Sequence, residues 1–379
     1  MGLPFKFGKV VEKKFFVNRH FEIDFIKQNI LAQINITLIS PRRWGKSSLV
    51  HIATNELSKT NRQIKVCHID LFNIRTEEEF YKIFAASVIK ASTTKWEEQI
   101  KLTKLFFKKL IPKLSFGVDE SNSLSLSFDW DEVKKDPSEI LNLPELISKK
   151  KKIQLVICLD EFQNISHFKY PLAFQKKLRA NWQHHQKASY VIYGSKQHMM
   201  TQIFESKSMP FYKFGEVIFL LKITNDHWKK YIVRKFKATK KTISTKLASK
   251  LAQLVENHSY FVQQFANMVW LNTEDVCNED IIEKSLDQLL NQHEILFIKE
   301  LDYLSNTQVN FLKALCKDEP QLSGKKTIAK YKLGTSGNVT KIKKALIDKE
   351  IIDQIGKTVS FQDPLFRLWL KKRYITNNY

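Results

Sequence analysis

Ser40-Pro-Arg-Arg-Trp-Gly-Lys-Ser-Ser-Leu49 is the stretch whose reading decides the fold. It follows the apolar run Ile34-Asn-Ile-Thr-Leu-Ile39 and opens a segment in which Leu49, Val50, Ile52, Ala53 and Leu57 share one helical face. Strand, loop and helix in that order make a phosphate cradle. Backbone N–H groups of the loop converge on a polyphosphate, and Gly45 supplies a conformation and a closeness that a Cβ would block. Lys46 reaches phosphate oxygens, the Ser47 hydroxyl is a Mg²⁺ ligand, and the helix that follows points its positive end at the site. Ser40, Pro41, Arg42, Arg43, Trp44, Gly45, Lys46, Ser47 and Ser48 are the candidate phosphate-binding residues. The general pattern G-x-x-x-x-G-K-[ST] has glycine where this chain has Ser40. On these ten residues alone, an ordinary basic turn between strand and helix is an equal reading.

Length and composition bound the rest. A chain of 379 residues has room for about two to three domains. No apolar run approaches the ~20 residues of a membrane span, and the opening residues lack a signal-peptide core, so a soluble cytoplasmic protein without membrane contact is expected. Cys67, Cys158, Cys277 and Cys316 stand singly, which indicates neither a disulfide framework nor a zinc site. The net charge of +23 points toward a polyanion. Only 9 of the 62 basic residues are arginine, however, and the lysines are spread over every segment, as a compositional bias would also produce.

A second site lies downstream. Ile153-Gln-Leu-Val-Ile-Cys-Leu-Asp-Glu-Phe-Gln-Asn164 runs from a continuous apolar strand into two acids. A strand buried on both faces delivers such carboxylates to the C-terminal edge of a parallel sheet, where ligands bind. Asp160 is the candidate metal carboxylate, and Glu161 the candidate base that orients and deprotonates an attacking water. The competing reading, a solvated acidic turn, weakens once an upstream phosphate loop stands in the right order. Ala188-Ser-Tyr-Val-Ile-Tyr-Gly-Ser195 is a further apolar strand with a small polar end. In P-loop ATPases of this layout that strand end carries a polar sensor of the γ-phosphate. Ser195 is the candidate, with Gly194 allowing close approach; capping of the next helix by Ser195 is the alternative role. Asp70 also ends an apolar run and reads as a satisfied loop acid.

These motifs together resemble the archaeal-type ATPase family, AAA+-like P-loop proteins related to the STAND signalling ATPases. The resemblance is carried by Phe15-Phe-Val-Asn-Arg19, the Ser40–Leu49 loop, Leu159-Asp-Glu-Phe-Gln163, Tyr193-Gly-Ser195, Pro210-Phe-Tyr212 and Asp363-Pro-Leu-Phe-Arg-Leu-Trp-Leu370, so it covers nearly the whole chain. It implies ATP as ligand, Mg²⁺ as cofactor, a helical lid over the nucleotide and a closing winged helix. Three departures qualify it. Asn18 stands where the family has glycine, and Asn257-His-Ser-Tyr-Phe-Val-Gln263 replaces a Gly-x-Pro-like lid segment, with Ser259 in the proline's place. Between Ser195 and Glu216 there is no arginine, only Lys196, Lys207 and Lys213. An arginine finger would be sought there, and losing one costs on the order of 10³-fold in turnover, which points to a slow ATPase or a switch.

The expected fold is therefore α/β, a P-loop parallel sheet with a helical lid and a C-terminal winged helix-turn-helix. Residues 1–222 form the ATPase domain, 223–300 the lid and 301–379 the winged helix. Alternation around Asp119-Glu-Ser-Asn-Ser123 predicts an exposed, polar-faced β-hairpin inserted near 114–131. In the last unit, the turn Leu333-Gly-Thr-Ser336 precedes a helix with Val339, Ile342 and Leu346 inside and Asn338, Thr340, Lys341, Lys343 and Lys344 outside. The wing follows as a hairpin through Gly356-Lys357, and Asp363-Pro364 starts the final helix. The outward residues lack arginine, so base-specific readout is poorly supported, and phosphate contact with duplex DNA or docking of a protein fits equally. The leading function is a nucleotide-driven switch with slow ATP hydrolysis. A DNA-binding regulator or transposition-type helper that uses ATP only as a ligand is the alternative, and a scaffold that no longer hydrolyses is the third.

Overall fold

Five apolar segments pair into one parallel sheet in the order β2-β5-β6-β1-β7. They are β1 (Ile36–Ile39), β2 (Ile64–Asp70), β5 (Gln154–Asp160), β6 (Ala188–Gly194) and β7 (Glu216–Phe219). The computed structural model describes residues 3–107, 113–116 and 124–375. β5 and β6 are buried along almost their whole length, which is why their sequences read as unbroken apolar runs. β1 starts two residues later than its apolar run suggests. Asn35 is spent on its neighbours instead: its side chain accepts the Tyr190 N–H and donates to the Phe214 carbonyl.

Helices α1 (His20–Leu31), α2 (Lys46–Thr60), α3 (Glu77–Ser92) and α4 (Trp96–Phe106) belong to the first half of this unit. β3 (Lys113–Phe116) and β4 (Leu124–Ser127) pair antiparallel, so the inserted hairpin is present; its turn and all its side chains lie outside the described residues. Short helices α5 (Trp130–Lys135), α6 (Ser138–Leu141) and α7 (Leu143–Lys151) lead into β5, and α8 (Pro171–Trp182) and α9 (Gln197–Glu205) flank β6. The core is aromatic: Trp182 stacks on Tyr190 with centroids 4.3 Å apart and on Phe84 at 5.8 Å. The face foreseen for α2, Leu49 through Leu57, is buried throughout.

From residue 222 onward the chain is helical up to the wing. α10 (Asn225–Lys237), α11 (Thr245–Leu254), α12 (Ser259–Asn272) and α13 (Glu279–Asp302) are followed by α14 (Asn306–Cys316), α15 (Lys325–Lys330) and α16 (Ser336–Asp348). The antiparallel strands β8 (Ile352–Ile355) and β9 (Thr358–Phe361) make the wing, and α17 (Pro364–Trp369) closes the fold. Asp363 caps α17 by accepting the N–H groups of Leu365 and Phe366. One continuous core runs from Trp228 and Phe265 through Leu289 and Phe297 to Val339, Leu346 and Trp369. α13 crosses the boundary expected at 300/301 without a break.

By its contacts the chain groups into two units. One comprises residues 19–41 and 46–221; the other comprises the described residues up to 18, residues 42–45 and those from 222 on. Among the described residues, no helix is long and apolar enough to cross a membrane.

Candidate functional site

The register of the sheet decides which residues meet. Ile39 pairs with Gly194 and Leu159 with Ile192, so β1, β5 and β6 end within one residue of one another at the C-terminal edge. The residues at that edge are Ser40, Asp160 with Glu161, and Ser195. Lys46 and Ser47 open α2 beside them.

All five side chains expected to carry the chemistry are bonded to one another. Lys46, 7 % exposed, donates from its ammonium to Glu161 Oε1 at 2.9 Å and stands 3.9 Å from Asp160 Oδ1. The Ser47 hydroxyl donates to Asp160 Oδ2 at 2.7 Å. Ser195 donates to Glu161 Oε2 from its hydroxyl at 2.7 Å and from its backbone N–H at 3.2 Å. Gln163, given no role from sequence, donates to the same oxygen at 2.6 Å. Glu161 itself sits at φ 51°, a left-handed turn that aims its carboxylate back along the sheet edge.

This geometry sets two different carboxylates side by side. Burial raises the pKa of Asp160, opposed by the Lys46 charge and the Ser47 hydrogen bond. Burial also pushes Glu161 upward, but Lys46, Gln163 and Ser195 outweigh it and hold it down at about 2. Glu161 is thus an ionised carboxylate saturated with donors. Asp70 does not join them; it is exposed and accepts the Phe72 N–H at 2.9 Å, a satisfied loop acid as expected.

Ser195 does not cap the next helix. α9 starts at Gln197 with Lys196 in the capping position and no side-chain capping bond, because the Ser195 hydroxyl is committed to Glu161. Gly194 has a steric reason to be glycine: a Cβ there would lie 2.1 Å from Gln163 Oε1 and 2.7 Å from Met200 Sδ. Gly194→Ala is therefore expected to cost about 1–3 kcal/mol in a denaturant titration, by displacing Gln163 and overpacking Met200. An unchanged midpoint would show that Gln163 swings away freely.

The loop explains its own departure from the glycine pattern. Ser40 is fully buried, its hydroxyl donates to the Pro41 carbonyl, and it is not among the residues with positive φ. The left-handed positions fall at Arg43 (φ 63°) and Gly45 (φ 92°), so residue 40 has no conformational need for glycine. The side chains of the loop tip all have partners within their own unit. Arg42 pairs with Glu350 at 2.8 Å, the Arg43 guanidinium lies 5.0 Å from the centre of the Tyr260 ring, and Trp44 meets His258 edge-on at 6.3 Å. Ser48 is buried in the first turn of α2. What the loop tip offers a phosphate is backbone.

Two of the further departures fall where the backbone is left-handed. Asn18 has φ 57° and Asn257 φ 56°, conformations that glycine adopts freely and asparagine tolerates best among the rest. Ser259 occupies the first position of α12, where proline is favoured.

The chain is similar in sequence to a family described as "Probable winged helix domain" over residues 295–372. No curated protein matches it. Among solved structures it is similar to the Walker-type ATPase of Pyrococcus abyssi, with 16 % identity, 97 % of this chain and 99 % of that one covered, and a TM-score of 0.67. It is also similar to the ORC2 protein of Aeropyrum pernix, solved in ADPNP and ADP complexes, with 12 % identity, 100 % and 99 % covered, and a TM-score of 0.54. The chain shares the fold of these two structures, an α/β sheet unit followed by a winged helix.

Proposed function

We propose that the chain is a Mg²⁺-dependent ATP-binding protein and slow ATPase whose nucleotide state acts on the winged helix. The observation that carries this reading is the bonded set Lys46, Ser47, Asp160, Glu161 and Ser195 at one sheet edge. Two carboxylates face one ammonium there, so a polyphosphate meets net negative charge unless a divalent cation accompanies it. Ser47 and Asp160 fit that cation: they are adjacent hard oxygens, and they leave most of an octahedral shell to phosphate and water. Bound Mg·ATP supplies the phosphoryl group and the neutralising charge.

The remaining roles belong to the chain. Lys46, drawn toward phosphate oxygens, releases Glu161 Oε1 and removes the largest influence holding that carboxylate at about 2, so Glu161 gains basicity only when the site is loaded. Ser195 shares Glu161's other oxygen and reports on the same event as sensor. Slow turnover is supported by the donors that keep Glu161 occupied and by the absence of arginine between Ser195 and Glu216. The switch is supported by the Arg42–Glu350 pair, since Glu350 lies between α16 and the wing. The pair is too exposed to contribute much stability; its use is positional. Calorimetric titration with ATP, with and without Mg²⁺, tests the whole reading. Saturable binding that needs Mg²⁺, with phosphate release slower than in finger-bearing ATPases, is expected, and a protein that ignores Mg·ATP would overturn it.

A second reading, duplex DNA at the winged helix, is favoured by one observation. Between residues 320 and 347 there are seven lysines and no acid, so the chain's diffuse positive charge becomes single-signed here. Lys325 and Lys332 line a groove of about 670 Å³ with Thr335 and Ser336 at the start of α16, and Lys341 and Lys344 are exposed along that helix. Asn338 does not face outward as the sequence suggested; it is half-buried and donates to the Leu333 carbonyl, holding the turn. The surface thus offers ammonium groups for phosphates and little for base edges. Duplex binding should be sequence-tolerant, and neutralising Lys341, Lys343 and Lys344 together should flatten its salt slope by about 2–3. An unaltered slope would leave protein docking as the role of this surface.

A further inference from the structure

Between residues 227 and 255 there are nine basic residues and no acid, five of the nine on α10. Lys230, Arg234 and Lys237 stand at i, i+4 and i+7 of that helix, so they form one exposed row along it. We propose that this row, extended by Lys6 and Lys14, is a docking surface for the phosphate backbone of duplex DNA, separate from the surface at α16.

The first reason is that folding crowds cations here. Three ammonium groups surround the Phe15 ring: Lys235 lies 4.6 Å from its centre, Lys14 5.2 Å and Lys6 5.5 Å. Lys235 and Arg234 also lie over the Tyr231 ring, at 5.3 Å and 5.7 Å, which joins this cluster to the α10 row. Burial, together with the charges of Arg234 and Lys14, holds the Lys235 pKa below the usual lysine value. Glu12, the acid nearest in sequence to Phe15, pairs with Lys14 at 2.9 Å. Lys229 is likewise paired with Asp226, and Lys250 with Glu279. Lys230, Arg234, Lys235 and Lys237 have no carboxylate partner among the described residues. An ordinary solvated face mixes signs, as α13 does with Glu283, Lys284 and Asp287. Like charges pressed together on one face are relieved by a polyanion.

The second reason is the shape of the row. Lys230 to Lys237 spans about 10 Å of helix axis, the axial rise of about three phosphates on one DNA strand. A small anion would meet one or two of these groups and leave the rest unrelieved. A membrane is also an extended polyanion, but a helix that lies on lipid presents large apolar side chains beside its cations. None of the exposed large apolar residues among the described ones is on α10. Phe15, half-buried among its three ammonium groups, is not free to stack on unpaired bases, which favours a duplex over a single strand.

The test uses the full chain with Lys341, Lys343 and Lys344 changed to Gln, so that the α16 surface is silent. Binding of a labelled duplex of mixed sequence is followed by fluorescence anisotropy from about 50 to about 200 mM salt. Adding Lys230→Gln, Arg234→Gln and Lys237→Gln should lower the salt slope by about 2–3 and weaken binding alike for all sequences. Lys235→Met keeps an apolar stem against Phe15 and should lower the slope by about 1 with no fall in melting temperature. A merely structural lysine would do the reverse. Neutralising Lys59, Lys104 and Lys176, exposed lysines of the sheet unit, controls for net charge. The proposal falls if this control lowers the slope as much, if the α10 variants leave it unchanged, or if the α16-silent chain binds no duplex. It also falls if the α10 variants lose phosphatidylglycerol vesicles but keep the duplex. The α16 surface is judged separately, by the step from wild type to the silent background.

Discussion

Lys46→Ala is expected to weaken Mg·ATP binding by about a hundredfold or more, the equivalent of one to two charge-assisted hydrogen bonds. The loss has two parts. The ammonium no longer meets phosphate oxygens, and Asp160 and Glu161 are left facing the ligand with Ser47, Gln163, Ser195 and the Glu161 backbone N–H as donors. Removing one partner of a buried ion pair also lowers stability, so a melting curve should accompany the calorimetry. Lys65→Ala, on an exposed strand position of the same unit, controls for loss of charge alone. Affinity retained in Lys46→Ala, with the fold intact, would remove the phosphate loop from the nucleotide site.

Glu161→Gln separates binding from chemistry. The amide matches the carboxylate in shape but cannot take a proton, so phosphate release should fall by about 10²–10⁴. Binding should not fall with it. The substitution cancels one of two negative charges beside the phosphates, so Mg·ATP affinity should hold or increase. Single-turnover phosphate release and calorimetry on the same preparation read the two quantities apart. Unchanged turnover would mean that the water is activated elsewhere or not by a base at all.

How far the sequence could be read depended on whether a residue's role was local. That Lys46, Ser47, Asp160 and Glu161 would meet was legible because the Gly-Lys-Ser spacing stands between a strand and a helix, and because the two acids end an uninterrupted apolar strand, where a polar residue has few structural reasons to stand. The five strands and the wing were legible for the same reason, as runs of one period. The saturation of Glu161 was not. It requires β5 and β6 to pair in the register that sets Leu159 against Ile192, which no short-range pattern encodes, although Gln163 stood two residues away in the motif. The departures at Asn18 and Asn257 looked like losses because a one-letter pattern records glycine rather than φ; both positions are left-handed here, a conformation that asparagine tolerates better than most residues. Arg42 was read as a phosphate ligand from its place in the loop, while the Glu350 carboxylate that pairs with it is visible only in three dimensions.

The grouping of residues 3–18 with the unit that follows residue 221 bears on how the chain comes to be folded as it is made. Phe5 packs against Tyr231 and Phe236, and the Phe15 carbonyl accepts the Tyr231 hydroxyl, so the partners of this segment are translated only after the entire sheet unit. During elongation residues 19–221 have a core of their own to collapse around, while Phe5 and Val17 wait in water. Closing a loop of that length carries an entropic cost that rises only slowly with size, but it delays this second unit until the residues beyond 221 have been made. The winged helix shares its core with residues that precede the sheet unit, so that core is complete only when chain from both sides of the sheet unit is present.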